Sequence, residues 1–171
     1  VPQDQSVSVR VPKVLSGGEP AWGQSEAITL RGGEGSPMRA ELQFAWSDTH
    51  LFFRLEQKAR ATETAEAPNA AELRKHWWDS EVVALAFDFG RGRFATAILP
   101  EVVLGWSSRE AKDLAFSLDL ERIETKTRGL VGLANRTIEG KIPWAEFHRA
   151  IGVRRPLSEI VKPGATIGCQ P

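Results

Sequence analysis

The feature that most constrains this chain is alternation. Met38, Ala40, Leu42, Phe44 and Trp46 fall on one parity and Arg39, Glu41 and Gln43 on the other. Successive strand side chains point to opposite faces, so such a segment has one buried face and one wet face. Ser47-Asp48-Thr49-His50 then supplies turn residues ahead of Leu51-Phe52-Phe53-Arg54-Leu55, and the two runs together predict an antiparallel hairpin. Comparable short runs, bounded by Gly, Pro, Asp or Ser, cover 27–31, 38–46, 51–57, 81–89, 94–99, 102–106, 114–120, 130–134, 137–142 and 165–169. In a chain of 171 residues that pattern predicts an all-β fold, an antiparallel β-sandwich of jelly-roll or immunoglobulin-like topology.

Helix is expected in one or two short pieces only. Asn69 ahead of Ala70-Ala71-Glu72 fits a capped helix over 70–76, and Pro143 followed by Trp144, Phe147 and Ile151 fits a second over 144–151. The whole of 1–171 reads as a single domain whose last strand, 165–169, looks cut short. Leu42, Phe44, Phe53, Val83, Leu85, Phe87 and Ile142 are the expected core, with Trp22 and Trp144 as structural indoles.

Charge and motifs remove several classes of function. Lys and Arg number 22 and Asp and Glu number 22, so no basic field is present to hold a phosphate backbone and nucleic acid is not an expected partner. No run approaches the about 18 consecutive apolar residues of a membrane span. Cys169 is the one cysteine, which excludes an internal disulfide framework and a cysteine-clustered zinc site. The start Val1-Pro2-Gln3-Asp4-Gln5 is that of a processed chain or an excised domain, and a periplasmic or extracellular location is the expectation. Serine-nucleophile, metalloprotease and P-loop signatures are absent, and Gly32-Gly33-Glu34-Gly35 lies between strand candidates rather than before a helix. His50, His76 and His148 are dispersed along the chain. The expectation is a protein that is not an enzyme.

What remains is aromatic and acidic. Six Trp stand beside no Tyr, and Trp77-Trp78-Asp79-Ser80-Glu81 sets two indoles beside two carboxylates just ahead of the apolar run 82–89. The apolar face of a pyranose stacks on an indole while its hydroxyls donate to carboxylates, and neither contact needs net charge.

Four segments in order resemble the family 9 carbohydrate-binding modules and the wider DOMON-like group of β-sandwiches. They are Leu15-Ser16-Gly17-Gly18-Glu19-Pro20-Ala21-Trp22, then the hairpin from Phe44 to Leu55, then Trp78-Asp79-Ser80-Glu81-Val82-Val83, and last Ile138-Glu139-Gly140-Lys141-Ile142-Pro143-Trp144 followed by Lys162-Pro163-Gly164. The resemblance implies a non-catalytic module that holds an oligosaccharide or polysaccharide between two Trp, with acidic and Arg side chains around its hydroxyls. Trp77 or Trp78 stands at the aromatic position and Glu81 at the acidic one, with Asp79 beside them. Sugar-binding members carry their second Trp near the C-terminus, whereas no Trp follows Trp144 in this chain, and Trp106 is the expected substitute. The opening turn has Leu15-Ser16-Gly17 where the family has an Asp, in a region that often helps to bind structural calcium, so calcium stays an open expectation and no other cofactor is expected.

Two alternatives follow from the same resemblance. The DOMON-like group includes haem b subunits of electron-transfer enzymes related to ethylbenzene dehydrogenase, and in that reading Met38 would be one axial ligand with His76, Lys75 or a distant Lys opposite. The other is an accessory or scaffold subunit of a periplasmic or membrane-associated protein assembly, which keeps the sandwich without sugar binding.

Overall fold

A computed structural model describes residues 9–15, 17–31, 39–59, 83–88, 101–107, 112–116, 122–128, 136–151 and 168–170. Among these the strands are β1 (Ile28–Arg31), β2 (Arg39–Trp46), β3 (His50–Ala59), β4 (Val83–Asp88), β5 (Glu101–Ser107), β6 (Lys112–Phe116), β7 (Glu124–Arg128), β8 (Arg136–Pro143) and β9 (Gly168–Gln170), with one helix, α1 (Trp144–Ile151). They form a five-stranded sheet ordered β1-β2-β3-β8-β7 and a four-stranded sheet ordered β6-β5-β4-β9. Every pairing between strands is antiparallel. The chain crosses from one sheet to the other after β3, after β6 and after β8, as a sandwich requires.

The register shows why these residues fold this way. Leu42 lies opposite Leu55 and Leu55 opposite Ile138, while Phe44 lies opposite Phe53 and Phe53 opposite Gly140. One parity of three adjacent strands therefore makes a continuous apolar floor. Leu85, Phe87 and Val102 of the other sheet complete the core. The Phe44 and Phe87 rings meet edge to face across the interior with centroids 6.2 Å apart, and Phe87 meets Phe147 of α1 at 5.1 Å. Edge-to-face geometry places a positive ring edge against a negative face, which adds to the burial of both rings.

Gly140 is a glycine for reasons of space. A Cβ built there would stand 2.6 Å from Phe53 Cε1 and closer still to Cζ, inside any real carbon contact, so Phe53 occupies the room that a side chain on β8 would need.

The β2–β3 turn is the second fixed point. Ser47 is buried; its Oγ accepts from the backbone N–H of Thr49 (3.3 Å) and of His50 (3.1 Å), and its own N–H donates to the His50 carbonyl (2.9 Å). Trp144 then closes on the turn from α1. Its backbone N–H donates to the Thr49 carbonyl at 3.0 Å, and its buried indole Nε1 donates to the Ser47 carbonyl at 2.8 Å. A parallel bridge brings 12–14 alongside the end of β2, with Trp46 N donating to the Pro12 carbonyl and Lys13 Nζ lying 4.9 Å from the Trp46 ring centroid.

Several expectations are met and others are corrected. Leu42, Phe44, Phe53, Leu85, Phe87, Ile142 and Trp144 are buried as expected, whereas the Val83 side chain lies outside the described residues. Trp22 is not a core indole. It sits half-buried in a single 3-10 turn, Trp22–Gln24, because β1 begins only at Ile28 and the turn is held by its backbone rather than by its ring. Trp46 packs on the rim of the core rather than within it. The strand β7 was not expected: its sequence Glu-Thr-Lys-Thr-Arg has no apolar residue to signal a buried face. The candidates at 94–99 and 130–134 and the helix at 70–76 lie outside the described residues. The helix at 144–151 is present as expected.

Three outcomes follow for stability. Gly140→Ala should cost about 1–3 kcal/mol by overpacking, read from urea denaturation, and Phe53→Leu added to it should recover part of that loss. Trp144→Ala should cost about 3–5 kcal/mol, whereas Trp22→Ala should cost less than about 1 kcal/mol. The third concerns His50, whose ring Nδ1 lies 2.8 Å from Thr49 Oγ1. Burial first, and Lys141 second, lower its pKa below the ordinary 6.5, against a raising effect of Glu124. The unfolded chain therefore takes up this proton more readily than the folded one, so the contribution of neutral His50 is present above pH 6.5 and is lost as pH falls through the lowered value. Thermal melts from neutral to acid pH should show a decline that His50→Gln lessens.

Candidate functional site

Trp77, Trp78, Asp79 and Glu81, the residues expected to hold a sugar, lie outside the described residues, as do Met38, Lys75 and His76, the expected haem ligands. Trp106 is placed at backbone level. It belongs to β5, which pairs directly with β4. Val83 is opposite Leu104, and Trp106 stands two residues beyond Leu104, at the end of the sheet from which the chain enters β4. Across the next pairing Trp106 is opposite Asp113 of β6. A lone aspartate 7 positions after Trp106 carries no signal in the sequence, and only the β5–β6 register brings Asp113 beside it.

The four-stranded sheet thus has an indole position and an acidic position side by side at the β4-entering end. Residues 77–81 precede Val83 in the chain by only a few positions.

A separate polar surface lies on the outward face of the five-stranded sheet. The core uses Leu51, Phe53 and Leu55 of β3, so His50, Phe52, Arg54 and Glu56 point the other way. Gln43, Arg54, Glu139 and Lys126 are successive register partners across β2, β3, β8 and β7. One side chain orients the row. The Gln43 amide donates both of its hydrogens, to the Trp22 carbonyl (2.9 Å) and to the Ser25 carbonyl (3.0 Å), which leaves its Oε1 facing Arg54 Nη1 at 3.5 Å. Arg54 also lies 3.9 Å from Glu139 and 4.0 Å from Glu56. Its Nε is buried and has no hydrogen-bond partner. The next row pairs Lys141 with Glu124 at 3.2 Å.

Among the described residues no group of three His, Cys, Asp or Glu side chains could hold a metal ion. Among them, too, no helix is long and apolar enough to cross a membrane. The opening turn carries Gly17 at φ 77, with Gly18 N donating to the Leu15 carbonyl at 2.9 Å and the Leu15 side chain 84% exposed. It is a tight backbone turn that uses glycine for a left-handed conformation.

No family model and no curated protein matches this chain in sequence. Solved structures do match it in shape. A carbohydrate-binding module of family 9 from Caldicellulosiruptor kristjanssonii, in complex with glucose, superposes with a TM-score of 0.51 at 16% identity, covering 91% of this chain and 70% of that one. A structure of a family 9 module from the same organism, in complex with cellotriose, gives a TM-score of 0.49 at 16% identity, covering 78% of this chain and 65% of that one. The chain therefore spans about two thirds of the length of the modules it matches. The antiparallel strands and the single described helix have the β-sandwich fold of a family 9 carbohydrate-binding module.

Proposed function

We propose that this chain is a non-catalytic carbohydrate-binding module, acting in the periplasm or outside the cell, with its ligand held at the β4-entering end of the four-stranded sheet. The observation that carries the reading is the position of Trp106 on the strand next to β4, at the end toward which Trp77-Trp78-Asp79-Ser80-Glu81 leads. A sugar ring would stack on Trp77 or Trp78 and on Trp106, and Asp79 and Glu81 would accept from its hydroxyls. The likeness of fold supports it, since the module from Caldicellulosiruptor kristjanssonii holds glucose on the same kind of sandwich. Trp106 supplies the indole that the chain otherwise lacks after Trp144.

The balanced charge suits such a ligand. A neutral sugar is bound by dispersion against an indole and by charge-assisted hydrogen bonds to carboxylates, and a strong field of either sign would add nothing.

A glycan array on the whole chain, followed by calorimetry on any hit, tests the proposal. Trp78→Ala or Trp77→Ala should weaken binding by about tenfold or more with little change in Tm, because a stacking face contributes to the ligand and little to the core. Glu81→Gln should weaken it less. The proposal is lost if no mono- or oligosaccharide binds at about millimolar concentration. If the double Trp variant then also fails to retain a copurifying protein that the wild type holds, the scaffold reading replaces it.

A further inference from the structure

We infer that the sugar site proposed above has a second wall on the five-stranded sheet, where Gln57 and Arg136 are ligand-contacting positions across the sandwich from the Trp106–Asp113 pair. The inference rests on the reading of the chain as a carbohydrate-binding module and adds to it the sheet that the reading leaves out.

The two ends of the sandwich are built differently. At one end the inward positions stay apolar to the rim: Leu51, Ile142, Trp144 and Phe147 are buried, and Trp46 packs against them. Phe87 meets both Phe44 and Phe147, so the Asp88 end of β4 lies toward α1 and the Val83 end lies opposite. Strand pairing carries the same inward parity to that opposite end. On the five-stranded sheet Leu42, Leu55 and Ile138 are buried partners in one row, and the next inward row is Ala40, Gln57 and Arg136. On the four-stranded sheet Leu85 and Val102 are buried partners. The parity of Val102 runs on through Leu104 to Trp106, whose partner is Asp113. An amide, a guanidinium, an indole and a carboxylate thus hold the inward positions that Leu, Ile, Trp and Phe hold at the α1 end.

A row that only sealed the core would stay apolar, because a polar group on the inward parity needs a partner that hydrocarbon does not offer. Backbone register marks the same place. The β2–β3 ladder keeps step from Trp46 to Ala40 and shifts between Ala40 and Arg39, which leaves Lys58 as an extra residue beside Gln57. Bulges of this kind gather at rims and next to functional sites, where they re-aim a side chain. The topology adds a third reason. The connections β1–β2, β3–β4, β5–β6 and β7–β8 all leave their strands at this end, and binding residues concentrate where a rigid scaffold gathers its loops.

The chemistry of the four positions selects the ligand. One cation and one anion cancel, so neither a phosphate nor a free cation is favoured. A guanidinium only donates, a carboxylate only accepts, and an amide does both. A sugar ring on the Trp106 indole would donate hydroxyls to Asp113 and accept from Arg136 and Gln57 at once. Both sheets would then share the ligand.

Amide chemical-shift mapping of the full chain, titrated with glucose and with cellotriose, tests this. Shifts should appear at Gln57 and Arg136 as well as at Trp106 and 77–81. In calorimetry with cellotriose, Arg136→Gln should raise Kd by about tenfold or more, as loss of a charged hydrogen bond does, with Tm held. Arg136→Lys should recover part of that loss. Gln57→Ala reads the same wall if Arg136→Gln lowers Tm, and it should weaken binding to a smaller extent. Shifts at Gln57 and Arg136 with weaker binding by these variants support the inference. A lower Tm with unchanged Kd in both variants overturns it, since the row is then structural. Shifts that pass over Gln57 and Arg136 also overturn it: the proposed function stands if they include 77–81 or Trp106 and falls with it if they include neither.

Discussion

The fold depends on what Trp144 does with two nitrogen atoms. It is the first residue of α1, and its backbone N–H reaches Thr49 while its indole N–H reaches Ser47, both in the β2–β3 turn. A residue 97 positions downstream in the chain thereby satisfies two carbonyls of a hairpin that the hairpin itself cannot satisfy. The indole is 2% exposed, so the bond at 2.8 Å is made away from water, where an unpaired carbonyl is costly. Phe147, one turn along, carries the contact to Phe87 of the opposite sheet. The helix is short, but it joins the turn, the core and the second layer.

With that end of the sandwich closed, the two sheets are free to differ on their outer surfaces. The core face of β3 cannot change, because Phe53 fills the space over Gly140 and Leu55 lies between Leu42 and Ile138. The outward parity of the same strand carries His50, Phe52, Arg54 and Glu56 with no such restriction. Pleating separates the two requirements residue by residue. One strand holds the molecule together and presents chemistry at its surface.

The legible part of the sequence was the part with contrast. Met38 to Phe44 alternates apolar with polar side chains and Leu51, Phe53 and Leu55 share one parity, and the hairpin and most of its core follow from that pattern. Pro143 and Trp144 mark α1 in the same way, through a rigid start and an amphipathic spacing. β7 escaped because Thr and charged residues alternate there without an apolar face, and an edge strand needs none. Trp22 was misjudged for a different reason. An indole ahead of a strand looks like a core plate in one dimension, and only the late start of β1 shows that it belongs to a turn. The polar row through Gln43 and Arg54 of one hairpin is completed by Glu139 of β8, far along the chain, so no local pattern announces it.

The charged strand β7 has a bearing on the molecule's behaviour in a crowd. Among the described residues it is the outermost strand of its sheet, and an outermost strand offers unpaired backbone groups to any other chain that arrives extended. Glu124, Lys126 and Arg128 occupy alternate positions along it. A second copy docking edge to edge would have to bring its own ionic row into register, with like charges meeting wherever the strands ran parallel and in step. On the far side β1 is only 4 residues long, too short to template much pairing. Among the described strands the sheet thus ends on both sides in ones that discourage fibrous growth, while its interior strands keep the apolar sequence that such growth would exploit.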